Sequence, residues 1–281
     1  MTKKPRPQPT KASKAEINAF QKTVYEHYTK EGRSFLWRHT RDPYKILVSE
    51  IMLQQTQAER VAAKYPLFIA RFPTMASLAA APLRSVMRQW QGLGYNRRAK
   101  MLRDAARAIM AEYNGRVPQD ADALQKLPGF GPYTARAVLV FAFNQPHVVI
   151  ETNIRSVFLH YFFAGKKNVD DKKLMPLIAQ TMDAHNPAAW YSALMDYGSH
   201  LKKNNPNPSR ASRHHAKQSA FAGSNRQIRG AIITLLLATK HQTQSQIIQK
   251  LDADPDRTGD ILAHMQAEGL LKKQGARFVI A

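Results

Sequence analysis

From Ser13 to about Lys203, apolar residues recur three and four positions apart in segment after segment. No stretch in this span alternates apolar and polar long enough to read as a strand, so the span is expected to be all-α. The punctuation agrees. Ser13 and Glu16 fit a capping box that opens a first helix. Asp42-Pro43 and Asn186-Pro187 each set a capping side chain ahead of a proline at the first helical position. Thr56 and Glu59 suggest a further capping box, and Gly115 follows a long amphipathic stretch, 96–113, as a helix-ending glycine does.

The pattern changes at about 199. Between 199 and 230, Lys202, Lys203, Arg210, Arg213, Lys217, Arg226 and Arg229 occur with no acidic residue and with dense Asn, Pro and Ser, which reads as a linker or a loop draped over a polyanion. An apolar helix (about 227–239) follows, then a short helix opened by Thr243 and another opened by Asp254-Pro255. Two short strands, 270–273 and 277–280, close around Gln274-Gly275. Three helices and a terminal hairpin make the pattern of a winged helix, with a generic helical appendage as the alternative. The expected fold is mostly α, divided into a basic flexible arm (1–12), a helical domain (13–203), a basic linker (204–223) and a winged-helix-like domain (224–281).

The chain has 281 residues, 44% of them hydrophobic, which suffices for a substantial core. Its apolar runs fall short of the ~18 residues needed to cross a bilayer, and the N-terminal MTKKPRPQPTKASK lacks the apolar segment of a secretory signal. A soluble, cytoplasmic protein is expected. Charge narrows the partner: 42 Lys and Arg against 20 Asp and Glu leave a formal +22. Such an excess suits a polyanion, because neutralising phosphates releases condensed counterions. Nucleic acid leads, an anionic membrane surface follows, and a basic surface kept for solubility is the bland alternative. Cysteine is absent, which excludes disulfides, thiolate-ligated zinc, iron–sulfur clusters and a thiol nucleophile.

Four segments carry chemistry. In Leu127-Pro-Gly-Phe-Gly-Pro-Tyr-Thr-Ala135, Gly129 and Gly131 make a tight hairpin between helices with backbone N–H groups exposed, and the next helix begins there with its positive end outward. That is a phosphate grip that reads no sequence, flanked by Lys126 and Arg136; a plain helical corner is the alternative. In Ser49-Glu-Ile-Met-Leu-Gln-Gln-Thr-Gln57, Glu50 falls between Ile46 and Leu47 on a helix apolar nearly all round. Burial there favours the protonated form that a general acid needs, although a carboxylate paired to an arginine would look the same. Gln54, Gln55 and Gln57 add side chains able to bond base edges. In Gln91-Gly-Leu-Gly-Tyr95, the glycines end one helix, and Arg97, Arg98, Lys100, Arg103 and Arg107 follow as a basic stripe or a solvated face. In Ile150-Glu-Thr-Asn-Ile154, Glu151 ends an apolar run as a functional anion, a helix cap or an ion-pair partner.

These segments, in this order and spacing, resemble the helix-hairpin-helix DNA glycosylase superfamily, and within it the MutY adenine glycosylases, over roughly Leu36 to Leu201. The resemblance implies a glycosylase core of two helical subdomains that flips a base out of duplex DNA and cuts its N-glycosidic bond. It gives Glu50 the part of the acid that protonates the base. It puts Glu151 where the family has an aspartate stabilising the cationic sugar, one methylene shorter. Tyr133 stands where bifunctional relatives have a lysine, which removes the Schiff-base nucleophile. On the same footing Gln54, Gln55, Gln57, Gly94, Tyr95, Arg97, Gly129, Gly131, Thr134, Arg136, Lys202 and Arg213 are expected at the DNA. The implied activity is a monofunctional glycosylase for adenine opposite 8-oxoguanine or guanine. Hypoxanthine, uracil or mismatched thymine, and a non-catalytic DNA-binding protein, are the alternatives.

The family's four cluster cysteines are missing after Met195-Asp-Tyr-Gly198, and its 8-oxoguanine-recognising domain gives way to the winged-helix-like segment. No cofactor is expected beyond, at most, a monovalent cation at the hairpin. No metal is expected either, and His200, His214 and His215 read as DNA-facing or solvated. The partner is duplex DNA with a mismatch or lesion, met by a monomer associated with the nucleoid. The C-terminal helix 255–268 carries Asp256, Asp260 and Glu268 against one arginine, so the last domain is expected to pack and position rather than read a groove.

Overall fold

The computed structural model describes residues 11–215 and 220–281. The expected arm (1–12) lies almost wholly outside the described residues, as does Lys217. Fourteen α-helices run through them: α1 (Lys14–Glu31), α2 (Pro43–Leu53), α3 (Ala58–Arg71), α4 (Met75–Ala80), α5 (Leu83–Trp90), α6 (Arg97–Glu112), α7 (Ala121–Lys126), α8 (Pro132–Phe143), α9 (Thr152–Phe162), α10 (Asp171–Thr181), α11 (Pro187–Asn204), α12 (Asn225–Thr239), α13 (Gln244–Leu251) and α14 (Pro255–Ala267). Three short strands join them, β1 (Gln242–Thr243), β2 (Leu271–Gln274) and β3 (Arg277–Ile280). No helix among the described residues is long and apolar enough to cross a membrane.

The chain makes two compact units that interleave along the sequence. One combines Met1–Asp42 with Gly131–Lys217, the other Pro43–Phe130 with Gln218–Ala281. The expected linear division into a helical domain and a C-terminal domain therefore gives way to a different grouping, in which the C-terminal segment shares a unit with α2–α7.

In the first unit the caps form as the sequence suggests: Ser13 and Glu16 close the box on α1, and Asn186 accepts from the Ala189 N–H to start α11. Phe20 of α1 meets Phe158 and Trp190 edge-on, at 5.5 and 5.8 Å, in an apolar core. Asp196, only 3% exposed, accepts from the guanidinium groups of Arg33 and Arg38, which ties the Leu36–Arg38 turn to α11. Burial alone would raise its carboxyl; the Arg38 hydrogen bonds and charge, with Arg33, hold it below the usual aspartate range. Two residues further, Gly198 lets α11 touch the start of α9, because a methyl there would stand 2.2 Å from the Asn153 carbonyl oxygen. The first part of the expected linker is tied down here as well: Val169 bonds Ala211 and Arg213 through their backbones.

In the second unit α2 is sheathed by α3 and α6 and buries eight of its residues, Glu50 among them. The expected Thr56–Glu59 box does not form. Gln57 caps α3 without a side-chain bond, and the Thr56 hydroxyl accepts from Arg98 instead. The C-terminal segment keeps its expected elements: Thr243 and Asp254 cap α13 and α14. β1 adds a third strand to the hairpin in the order β1-β3-β2, with Gln242 opposite Phe278 and Leu271 opposite Ile280. Arg84 of α5 donates to the Leu236 and Leu237 carbonyls at the end of α12, at 2.8 and 2.6 Å, and holds the segment in place.

The Gly198 contact gives the first testable outcome. Gly198→Ala must push α11 off the start of α9, and overpacking of this kind costs about 1–3 kcal/mol. Urea unfolding should show that loss, and a parental midpoint would mean that the two helices yield freely.

Candidate active site and nucleic-acid interface

The site in the second unit is built around one buried cation. Arg98, at the start of α6, is 7% exposed. Its guanidinium donates to the carbonyls of Ile51, Met52 and Gln54 at 2.6–2.9 Å, to the carbonyls of Leu93 and Gly94, and to the Thr56 hydroxyl. The first three are acceptors left over at the C-terminal end of α2, where the helix dipole is negative. Burial pulls the Arg98 pKa down to about 10, so the group stays charged at neutral pH. Trp90 and Tyr95 lie against it at 5.3 and 5.5 Å. The end of α2 and the glycine loop are thereby pinned to the same atom cluster.

One turn before that pinned end stands Glu50, 7% exposed among Ile46, Leu47, Val48, Ile51 and Met52. After it the chain turns sharply. Gln54 donates to the Gly129 carbonyl at 3.1 Å, joining the end of α2 to the glycine hairpin. Gln55 is exposed with φ of 54°, and Tyr95 has φ of 46°, both left-handed without being glycine. Backbone strain of that kind gathers at functional sites and costs on the order of 1–3 kcal/mol per residue. Gly129, at φ of 86°, could not carry a side chain without meeting Met101, which is why the hairpin can lie on α6. Gln54, Gln55, Gly94, Tyr95 and Arg97 line a single groove of 740 Å³ whose other wall comes from α12 and the turn before it. Gln57 is exposed at the start of α3.

The basic stripe expected on α6 is for the most part not a surface. Arg98 and Arg103 are buried, Lys100 and Arg103 pair with Asp104, and Arg107 donates to the Ala79 carbonyl. Arg97 alone of the five is exposed at the groove. Sequence reasoning counted Arg98 in that stripe and missed its role. The signal was there, because Arg98, Leu102, Ala106 and Ile109 share one helical face, and its apolar members announce burial.

In the first unit Glu151 caps α9, accepting from the backbone N–H groups of Asn153 and Ile154 at 2.7 and 2.9 Å and from the Asn153 side chain at 3.1 Å. By area it is partly open, yet protein packs round the carboxylate closely enough that burial pushes its pKa up. The two N–H bonds and the charges of Lys202 and Arg155 oppose that rise. Lys202, expected at DNA, is thus coupled to Glu151; burial lowers its pKa and Glu151 works against the lowering. Gly131 caps α8, and Tyr133 in the first turn packs on the apolar core of this unit. Thr134 is buried at 4% exposure, Arg136 is half-buried, and Arg213 reaches Asp170 at 3.3 Å.

The helical subdomain of the family usually continues into a cysteine-ligated cluster. Here α11 runs to Asn204 and is followed by a short turn, Pro208–Ala211, in a chain without cysteine. The residues present do not fit a thiolate-held cluster, and none of the chemistry runs through one.

Residues 48–181 match the family of HhH-GPD superfamily base excision DNA repair proteins. An adenine DNA glycosylase of Mycolicibacterium smegmatis is 33% identical over 90% of this chain and 93% of its own length. An adenine DNA glycosylase of Buchnera aphidicola is 36% identical over 66% of this chain and 54% of its own, so the chain spans about half of some relatives and nearly all of others. A thymine/uracil-DNA glycosylase of Methanothermobacter thermautotrophicus is 32% identical over 61% of this chain and 78% of its own. Among solved structures, a thermostable thymine-DNA glycosylase superposes with a TM-score of 0.61 at 31% identity, over 65% of this chain and 86% of that one. A trapped endonuclease III–DNA complex shares the fold at 20% identity, with a TM-score of 0.53 over 75% of this chain and 91% of that one. With glycine hairpin, sheathed glutamate and near full-length relatives in agreement, the chain belongs to the HhH-GPD superfamily of base excision DNA repair proteins, among its adenine DNA glycosylase (MutY-like) members.

Proposed function

We propose that this chain is a monofunctional DNA glycosylase that removes adenine from duplex DNA, opposite 8-oxoguanine or guanine. The observation that carries the reading is Glu50: a carboxyl sheathed by α2's own apolar residues, one turn from the strained Gln54–Gln55 corner. Burying a carboxyl is unfavourable unless it is paired or hydrogen-bonded, and this one stands about one turn before side chains suited to entering a base stack. In this reading the duplex gives up one base at a cost of a few kcal/mol. Glu50 hands its proton to that base as the glycosidic bond lengthens, and the base leaves as a neutral molecule. Positive charge grows on the sugar, and Glu151 is assigned to stabilise it as an anion, a form that its two N–H bonds and Lys202 favour against the burial that raises its pKa. Water then adds to the sugar carbon and gives up a proton to the Glu50 carboxylate, which restores the acid.

Tyr133 offers no amine, so no covalent enzyme–sugar link forms and the strand is left uncut. The chemistry needs no cofactor; any ion at the hairpin is a monovalent cation held by backbone carbonyls. The enzyme acts as a monomer in the cytoplasm, at the nucleoid. A second reading, removal of mispaired thymine or uracil, is favoured by the thymine/uracil-DNA glycosylase relative. Single-turnover assays on duplexes carrying adenine, thymine or uracil opposite guanine and 8-oxoguanine separate the two. Release of thymine or uracil but not adenine would replace the first reading by the second.

Three outcomes follow from the site. Glu50→Gln should abolish base release while DNA affinity stays within a few fold, since the amide keeps the shape but has no proton to give; full single-turnover activity would remove Glu50 from the acid's place. Glu151→Gln should slow release by about 10²–10³-fold, the usual effect of deleting a charge-stabilising group, with Glu151→Asp closer to the parent. A parental rate in the Gln variant would make Glu151 a helix cap only. The third concerns pH. Glu151 acts ionised and burial raises its pKa, so the rate should climb with pH through a midpoint above the ordinary glutamate value. Lys202→Met removes a charge that lowers that pKa, so the midpoint should move further up; an unmoved profile would uncouple the two residues.

A further inference from the structure

Toward its C-terminal end α1 carries His27 and Glu31, four positions apart and so on one face of the helix. α1 packs against α11, and α11 brings His200 to the same place. Nδ1 of His200 stands 3.4 Å from a Glu31 carboxylate oxygen, and its ring lies 4.6 Å from that of His27. One ligand atom from each of the three residues falls within 4.8 Å of the other two. No other three histidines or acids among the described residues converge in this way, although all ten histidines of the chain are described.

Both rings are half-buried and held in place. Tyr197 packs against His27 at 5.0 Å and stacks on His200 at 6.2 Å, and its hydroxyl is hydrogen-bonded to that of Tyr161 at 2.6 Å. The arginines that follow α1 are committed elsewhere: Arg33 and Arg38 both donate to Asp196, one turn before His200 on α11. At neutral pH an ordinary histidine is mostly uncharged. Two uncharged rings beside one carboxylate offer two nitrogen lone pairs and an anion to a single point, and the negative end of the α1 dipole lies close by. A plain His200–Glu31 ion pair would leave His27 without a part, and would set a second proton-accepting ring against a charged one.

Two imidazole nitrogens and one carboxylate oxygen suit zinc or a neighbouring divalent transition metal, with water in the remaining position. Magnesium and calcium prefer oxygen ligands alone. Tetrahedral zinc bound at about 2.0–2.2 Å keeps its ligand atoms about 3.3 Å apart. The His200–Glu31 pair already has that spacing, and His27 has at most about 1.5 Å left to close. We propose that His27, Glu31 and His200 form a transition-metal site, with zinc its best-fitting occupant, that ties α1 to α11. His200, expected to face DNA or solvent, thereby becomes a ligand, and at this place the expectation of a chain without metal gives way. The proposal does not rest on the base-excising reading, and the site supplies anchorage for the first helix rather than chemistry.

Isothermal titration of the full chain, free of any histidine tag and stripped of metal by a chelator, tests it with Zn²⁺, and with Mg²⁺ as the control. One Zn²⁺ should bind per chain, and Mg²⁺ should not. His27→Gln and His200→Gln each remove a ligand and should weaken Zn²⁺ binding by at least about 100-fold, the upper end of what losing a supporting partner does. Glu31 is exposed, so Glu31→Gln leaves the core untouched; it should weaken binding about tenfold. His214→Gln, which alters a histidine beside Asp170, should leave binding unchanged. Zn²⁺ at about 100 times its Kd should raise the parental Tm by about 5 °C, and the same concentration should raise that of Glu31→Gln by clearly less. Absence of Zn²⁺ binding at micromolar concentration overturns the proposal and leaves an ion pair only. Parental affinity in Glu31→Gln and His200→Gln overturns it as well, and so does a loss in His214→Gln as large as in His200→Gln.

Discussion

A single buried guanidinium organises the end of α2 and the glycine loop beside it. Taking a cation out of water is expensive unless its donors are met, and the two terminal nitrogens of Arg98 donate to neutral oxygens, while its buried Nε finds no acceptor among the described residues. Three of those oxygens are the unused carbonyls of α2, so the charge and the helix end relieve each other's deficits. The remaining bonds draw in the Leu93–Gly94 loop and Thr56. The positions of Glu50, of the Gln54–Gln55 corner and of Tyr95 all follow from how that one group is satisfied. Lysine at 98 could carry the charge but has no planar fork to span two segments at once.

The two carboxylates sit in different surroundings. Glu50 is buried within α2, whereas Glu151 sits in a cradle of N–H groups at a helix start, with the charges of Lys202 and Arg155 in range. At Glu151 one bond set does two jobs, since the N–H groups that cap α9 are the same ones that oppose the upward pull of burial on its pKa.

Much of this was legible in the linear text where the physics is local. Ser13–Glu16, Asn186-Pro187, Thr243 and Asp254-Pro255 start helices because capping involves residues three positions apart. Gly129 announces a left-handed turn, and the hairpin about Gln274-Gly275 announces the wing. What stayed hidden depends on partners far away in sequence. Thr56 looks like a cap until Arg98 claims its hydroxyl. Arg98 looks like surface charge until α2 ends beside it. β1 is two residues long, too short to show any alternation. The place of Lys202 beside Glu151, and of Phe221 and Gly230 beside Tyr95, involves separations that no window of sequence covers.

The interleaving of the two units has a consequence for how the chain acquires its structure. α1 packs against α10 and α11, about 160 residues downstream, as the bond from Gln21 to the Thr181 carbonyl shows. On a ribosome the first helix therefore emerges long before the surface it will cover and must wait, its apolar stripe unclaimed, while α2–α7 are made. Even that intervening piece is unfinished until α12 arrives from the far end to take the bonds offered by Arg84. Contacts of such long range fold slowly, because loop entropy is spent before any contact rewards it. The first unit has all of its parts only once Lys217 has been made, and the second only when the C-terminal segment follows, so vectorial synthesis is expected to leave α2–α7 in an open, chaperone-accessible form after the first unit can already close.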